Sequence, residues 1–451
     1  MTNLSGANLN NGAAVGPQGE GRDSPSNFPA YPAYKDSGVE WLGAVPEHWG
    51  VSPLKWLAEQ VTDKATTSEF QVGLENIEGW TGRFIETDTE FAGDGIAFRQ
   101  EDILFGKLRP YLAKVWLADR PGQAVGDFFV LRPRAVNGDF LHKYILTPTV
   151  IEDLNASTIG AKMPRVGWED MAALAVSLPP YKEQTQIARF LDHETARIDA
   201  LIEEQQRLIE LLKEKRQAVI SHAVTKGLDP TAPMKDSGVE WLGEVPAHWD
   251  VVPTNYRYEI QLGRMLNEQR AQGEHLKPYL RVFDVQWHSI NTADLPVMDF
   301  PPDVQSMYRL RHGDLLVNEG GSYVGRSAIW RGELDECYYQ KALHRLRPHS
   351  LKKDTSEFFL YVMEMATQQG VFVAGGNQTT IDHLTAEQLR KYRFAFPPLE
   401  EQQQIAEFLS VDSSKNLSTT AEAEKLIGFL QERRSALISA AVTGKIDVRN
   451  W

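Results

Sequence analysis

The residues most suggestive of chemistry in this 451-residue chain are Leu178-Pro179-Pro180-Tyr181. A polar side chain followed by Pro-Pro and an aromatic can accept hydrogen bonds from the exocyclic amine of a flipped base while the ring stacks on it. Here the polar position is Leu178, which can accept nothing. A second copy, Phe396-Pro397-Pro398-Leu399, lacks the aromatic as well. Both Pro-Pro pairs therefore read as punctuation between a strand and a helix. The glycine-rich run from Gly320 to Gly325 does not open a helix after a strand, as a dinucleotide-binding turn would. Thr443-Gly444-Lys445 lacks the upstream glycine and following hydroxyl of a phosphate-binding loop. The histidines are scattered without metal-ligand spacing. His48 and His248 each precede a tryptophan, which points to packing. No nuclease-like carboxylate cluster stands out, so the sequence offers no catalytic residues and no metal ligands.

Two pairs of loops look like binding surfaces instead. Lys107-Leu108-Arg109-Pro110-Tyr111, with Lys114 just after, places basic groups around an aromatic behind an expected strand. Lys162 and Arg165 follow in a Gly-containing stretch ahead of a helix. The second half of the chain carries Asn318, Ser322, Tyr323 and Arg326 at the first position and Asn377, Gln378, Thr379 and Thr380 at the second. Arg and Lys can bridge guanine edges or phosphates, Asn and Gln can pair with adenine, and hydroxyls can serve either. Equivalent loops with different polar side chains suit two sequence-reading surfaces.

What positions these loops is duplicated. KDSGVEWLGAVPEHW (35–49) returns as KDSGVEWLGEVPAHW (235–249), and PPYKEQTQIARFL (179–191) returns as PPLEEQQQIAEFL (397–409). The second match extends through LIELLKEKRQAVISHAVTKGLD (208–229) and LIGFLQERRSALISAAVTGKID (426–447). The unit is thus a Trp-rich opening, a variable body and a long shared segment. In the first long segment Leu191, Ile198, Leu212 and Val219 fall on a heptad seam with Leu201 and Leu208 as companions. In the second, Leu409, Leu430 and Leu437 with Ala423 form the seam, flanked by Ile405, Leu426 and Ala440. A helix from Glu183 to Ala223 would be about 60 Å long, and the polar seam positions Gln205, Asn416 and Thr419 predict that the two helices pair with each other. Within the bodies, 102–108, 128–133, 314–320 and 327–330 read as short strands, and 140–154 and 356–370 as helices. Asp102-Ile-Leu matches Asp314-Leu-Leu and Leu131-Arg-Pro matches Leu346-Arg-Pro, so both bodies should share one fold.

Bulk composition sets outer limits. Hydrophobic residues at 42% and charged residues at 24% are ordinary for a globular protein large enough for several cores. Cys337 is the only cysteine, which excludes an intramolecular disulfide framework and fits a reducing cytoplasm. No apolar run approaches the roughly 18 residues of a membrane span. A net charge of −14 requires that any nucleic-acid contact use local basic loops or partners that supply positive charge.

With both paired motifs present, residues 35–447 resemble the specificity subunit of a type I restriction–modification system. The match rests on Gly43, Pro46 and Trp49 with Gly243, Pro246 and Trp249, and on Pro180, Glu183, Gln184 and Ile187 with Pro398, Glu401, Gln402 and Ile405. The resemblance implies an α+β chain: two globular mixed α/β target-recognition domains separated by two long antiparallel helices in an intramolecular coiled coil with pseudo-two-fold symmetry. The expected division is a disordered tail (1–34), a first recognition domain (35–180), a long helix (181–227), a second recognition domain (228–398), a second long helix (399–445) and a C-terminal tail (446–451). It also implies a subunit without catalysis or cofactor of its own. Its partners would be double-stranded DNA, two methyltransferase subunits and, in the restricting complex, two motor-nuclease subunits, with S-adenosylmethionine, ATP and Mg held by those partners. Two other readings compete: a self-contained DNA methyltransferase, motivated by Pro-Pro-Tyr, and a coiled-coil protein scaffold without DNA binding, motivated by the acidic balance.

Overall fold

A computed structural model describes residues 28–65, 70–89, 91, 93, 95–158, 160, 162–265, 267, 270–372 and 384–451. The chain divides into two compact units, 1–206 with 424–451, and 207–423. The cut falls inside the long helices rather than at their ends. Each unit therefore owns half of Tyr181–Lys226 and half of Leu399–Val442.

Within the first unit, a four-stranded antiparallel sheet runs in the order Ala58–Val61, Phe128–Pro133, Ile103–Gly106, Val115–Leu117. The second unit repeats it as Tyr258–Leu262, Leu343–Pro348, Leu315–Asn318, Ser327–Ile329. In the first unit the central strands, up to Leu131, are apolar on both faces because both are covered. Phe128, Val130 and Leu104 face one cluster, and Phe105, Phe129 and Ile103 face the other. The faint Asp and Arg alignment of the two bodies is one structural device. Arg132 donates from Nε and Nη2 to Asp102 at 2.9 and 2.7 Å, and Arg347 donates to Asp314 at 2.7 Å twice. A second sheet distinguishes the bodies. Its central strand is Gly122–Ala124 in the first, between Gln71–Val72 and Ile96–Phe98. In the second the centre is Leu276–Leu280, between Val297–Asp299 and Tyr338–Tyr339. The expected helix over 140–154 is two helices, Gly138–Ile145 and Pro148–Ala156, because Pro148 blocks continuation and suits a helix start.

The halves of the long helices pair antiparallel inside each unit. In the first, Ile187, Leu191 and Ile198 share a core with Leu430, Leu437 and Ala441, and Arg434 Nε donates to Asp199 Oδ1 at 2.9 Å. In the second, Ile220, Ala223 and Val224 share a core with Ile405 and Leu409. The seam positions Leu191, Ile198, Leu409, Ala423, Leu430 and Leu437 are buried, and Leu212 and Val219 half-buried. The companions need correction. Leu201, Leu208 and Leu426 are 46, 37 and 43% exposed. The packed companions follow four residues after each seam position: Thr195, Ile202, Ile209, Arg216 and Ala223, then Ser413, Thr420, Ile427, Arg434 and Ala441. Polar residues at several of these positions obscure the pattern. Thr195 is satisfied by its own helix, donating to Leu191 O at 2.7 Å, and the buried seam residue Asn416 donates to Asp412 at 2.8 Å.

Both expected tails are corrected as well. Tyr31 is 3% exposed in the first core. Ile446 and Val448 are buried beside it, Asp447 N donates to Pro29 O at 2.7 Å, and Trp451 meets Phe190 edge-on. Apolar side chains this close to a core bury rather than trail. Residues 1–27 of the expected N-terminal tail lie outside the described residues.

Candidate nucleic-acid interface

The repeated motifs form a clamp that holds each body. Glu183 Oε1 accepts from Trp49 Nε1 at 3.0 Å and from the Tyr31 hydroxyl at 2.7 Å, while Oε2 meets His48 Nε2 at 2.9 Å. Burial, together with the hydrogen bond to this carboxylate, holds the Tyr31 hydroxyl well above its usual range. Glu401 repeats the arrangement with Trp249 at 3.0 Å and His248 at 2.7 Å. The neighbouring glutamine grips the body itself. Gln184 accepts from Asn137 N at 2.7 Å, at the N-cap of Gly138–Ile145, and donates to Pro179 O at 2.8 Å. Gln402 accepts from Thr355 N at 3.0 Å and donates to Pro397 O at 2.9 Å. The Pro-Pro segments thus act through a backbone carbonyl, and Tyr181 stands 62% exposed at the helix start. The prolines that resembled chemistry and the histidines read as packing both belong to this clamp.

In the first body the two candidate loops meet. Leu108 bridges to Arg165, Arg109 N donates to Pro164 O at 2.8 Å and Val166 N donates to Lys107 O at 3.0 Å. Their basic side chains are not equivalent. Lys107 lies 3.9 Å from Asp127 and over the Phe129 ring, and Arg165 donates to the same Asp127 at 2.9 Å, a bond that raises the guanidinium above its ordinary range. Lys114 donates to Leu74 O at 2.6 Å. Arg109 and Lys162 are exposed and make no hydrogen bond or ion pair through their side chains with the described residues. Tyr111 and Met163, each 46% exposed, flank them.

The second body places its first loop at the same site, behind Leu315–Asn318. Asn318 is a correction. Its side chain is fully buried and donates to Val282 O and Val285 O, both at 3.1 Å, so it shapes the loop from within and cannot reach a base. Ser322 is exposed and Tyr323 half-buried. Arg326 lies over the Tyr323 ring at 4.7 Å and donates to Gln286 at 2.5 Å. Of the second loop, Asn377, Gln378, Thr379 and Thr380 lie outside the described residues. Its far end is visible where Leu384 N donates to Glu319 O at 2.6 Å, matching Val166 and Lys107 in the first body.

Sequence reasoning missed a second attachment between body and long helix. Trp80 and His288 sit at the tips of equivalent turns with left-handed backbones, φ 67° and 60°. Each tip meets an arginine from the same place in the repeated helix. Arg434 donates to Trp80 O at 3.4 Å, and Arg216 Nη2 lies 3.3 Å from His288 Nε2. Arg216 also forms a bidentate pair with the buried Glu364, one bond of 3.1 Å, and His288 meets that carboxylate at 2.7 Å. Burial pushes the Glu364 carboxyl up, but His288 and Arg216 together hold it below the usual range. The signal was present: both arginines recur within the duplicated segment. Among the described residues no group of His, Cys, Asp and Glu is arranged to hold a metal, and no helix is long and apolar enough to cross a membrane.

Fold and loops together define a duplicated recognition protein, one frame used twice with a different set of exposed side chains on each copy. Residues 79–212 and 266–426 match the family described as type I restriction modification DNA specificity domain. The chain belongs to this family. It is 25% identical over 219 residues to the type I restriction enzyme EcoDI specificity subunit of Escherichia coli, covering 44% of this chain and 48% of that protein. It is also 25% identical over 307 residues to the MjaVIII specificity subunit of Methanocaldococcus jannaschii, covering 66% and 68%. The match thus spans about half of the first relative and about two thirds of the second. Among known structures, a chain from a study of complex assembly and conformational transition of the type I R-M system has a TM-score of 0.66 at 19% identity, covering 88% of this chain and 98% of that one. The HsdS subunit from Thermoanaerobacter tengcongensis gives 0.53 at 17%, covering 89% and 98%. These likenesses show a common fold.

Proposed function

We propose that this chain is the non-catalytic subunit that gives a type I restriction–modification complex its DNA sequence specificity. Each body reads one half of a bipartite, asymmetric target through the loops at 107–114 and 160–165, or at 319–326 and 376–380. The paired long helices fix the length of the unread spacer and dock two methyltransferase subunits. Two motor-nuclease subunits join in the restricting form. S-adenosylmethionine, ATP and Mg belong to those partners, and the assembly works in the cytoplasm. One observation carries this reading: the same clamp, built on Glu183-Gln184 and on Glu401-Gln402, holds two bodies with the same four-stranded sheet whose loops present different side chains. A twofold-repeated frame suits two copies of one partner. Unlike loops suit unlike half-sites.

Co-expression with the methyltransferase subunit encoded alongside it, followed by methylome sequencing of the host, tests the reading. The expected result is one bipartite motif with two unlike halves and a fixed spacer, produced by a complex with two methyltransferase subunits per chain. Methylation without sequence preference would overturn it. DNA binding should weaken steeply with salt, because phosphate contacts release counterions.

A further inference from the structure

The two bodies supply an internal control for the first recognition loop. From the strands that follow, Val115–Leu117 and Ser327–Ile329, the loops align residue for residue, with Tyr111 opposite Tyr323 and Lys114 opposite Arg326. The same turn hydrogen bond closes both, Leu112 N to Arg109 O at 2.9 Å and Val324 N to Gly321 O at 3.1 Å. Two positions in this loop adopt left-handed backbone in each body. In the second body both are glycine, Gly321 with φ 70° and Gly325 with φ 77°. In the first they are Arg109 with φ 51° and Ala113 with φ 48°. Glycine takes that conformation without penalty, whereas a residue bearing a Cβ is strained there.

Ala113 is fully buried, so its methyl group contributes to the core in return for the strain. Arg109 has no such return inside the protein. Its side chain is exposed, with no hydrogen bond or ion pair among the described residues, while Lys107, Lys114 and Arg165 around it are all held by protein acceptors. Its backbone is nevertheless fixed on both sides, by Arg109 N to Pro164 O within the bridge between Leu108 and Arg165, and by Leu112 N to Arg109 O. A strained, rigidly mounted arginine without a side-chain partner among the described residues is suited to a partner outside the chain.

Resting on the recognition reading above, we infer that Arg109 is a specificity-determining residue of the first body and that it reads a guanine. The guanidinium fork matches guanine O6 and N7 in the major groove, the commonest base-specific contact of arginine. Fixing the backbone reduces the ordering cost of placing it there. A phosphate contact would need less: the exposed side chain of Lys162, in the adjoining loop, would serve.

The test is Arg109→Gly in the full chain, co-expressed with its methyltransferase partner, with Arg109→Lys as a second variant. Glycine is what the second body uses at this position, so the loop keeps its backbone and loss of function is not loss of fold. Methylome sequencing of the Arg109→Gly complex should return the wild-type motif with one G·C position of one half-site relaxed. Purified complex on synthetic duplexes should lose about 10- to 100-fold of its discrimination at that position. Lysine should restore affinity better than it restores discrimination, since it lacks the fork. An unchanged motif with uniformly weaker binding and a shallower salt dependence would overturn the inference in favour of a phosphate contact. No change in motif or affinity would overturn it too. Both of those outcomes leave the recognition function standing, whereas a wild-type complex without any motif defeats the function and this inference together.

Discussion

Comparing the two units separates what the frame demands from what the readers are free to vary. Each has a glutamate under a tryptophan and a histidine, and a glutamine on a body N-cap. Each has a four-stranded sheet of the same order and a bidentate Arg–Asp pair across it. The differences begin where the body leans on the long helix. Arg216 engages Glu364 from its own body, and the carboxylate is 3% exposed. Arg434, its counterpart, pairs with Asp199 on the facing helix and hydrogen-bonds its body at Trp80 O. The crevices beside these contacts differ accordingly. In the first unit a space of about 430 Å³ is lined by Asp139, Lys143, Asp192 and His142, with Lys143 2.7 Å from Asp192. In the second, a space of about 600 Å³ is lined by Leu360, Tyr361, Ala406 and Ile329 beside the Arg331–Glu357 pair. The clamp and the sheet's ion pair are the same in both halves, whereas the partners of the helix arginine and the side chains of the loops have diverged.

The sharpest way to break this comparison is to remove the two arginines separately. Arg216→Ala leaves the buried Glu364 with His288 and Gln368 but without its guanidinium, and should cost the second unit about 3–4 kcal/mol. Arg434→Ala leaves Asp199, already 24% exposed, free to hydrate and should cost the first unit only about 1–2 kcal/mol. Hydrogen–deuterium exchange reports the units individually, and equal losses would erase the proposed asymmetry. The clamp should rank the other way. Glu183 serves three donors and is 8% exposed, whereas Glu401 serves two and is 24% exposed. Glu183→Ala should therefore destabilise its unit by about 2–3 kcal/mol and Glu401→Ala by about 1–2 kcal/mol, read from the same exchange experiment.

Acid should treat the units alike. Burial lowers His344 from its ordinary value of 6.5 to about 4, and lowers His142 to about 4 as well. Between those values the unfolded chain binds the extra proton and the folded chain does not. The stability linked to each imidazole is therefore complete above pH 6.5 and is lost as pH falls towards 4, by about 3 kcal/mol for the fully buried His344. Titration of the His344 ring followed by NMR should give a midpoint near 4, and a midpoint near 6.5 would contradict its burial. The smallest expected effect is on the strained loop. Arg109→Gly relieves a left-handed backbone and loosens the unfolded chain, so the first unit should change by less than about 1 kcal/mol. A large loss would mean that the side chain holds the loop together.

Much of the frame was legible. The doubled opening motif, the Pro-Pro starts of the long helices and the strands 103–106, 128–133 and 315–318 follow from spacing and punctuation. The single alignments of Asp102 with Asp314 and of Arg132 with Arg347 already carried the sheet's ion pair. The seam was legible in phase but not in its companions. Apolar Leu201 and Leu208 stand three residues on from seam positions, and polar Thr195 and Arg216 stand four residues on, so hydrophobicity pointed to the wrong side. Of the loop residues singled out, Asn318 turned inward and Lys107, Lys114 and Arg165 found acceptors within the protein, because a polar residue type states what it can bind and not what lies beside it.

Sequence alone determined the duplication, the helix starts, the place of the candidate loops along the chain and the absence of a recognisable catalytic motif, since these depend on order and periodicity along the chain. Tertiary structure decided which glutamate clamps which tryptophan, which arginine is anchored to a body and which to a helix, and which loop cation is left over. Those outcomes depend on distances between residues far apart in the chain, and a charge is free or satisfied only once its neighbours are in place.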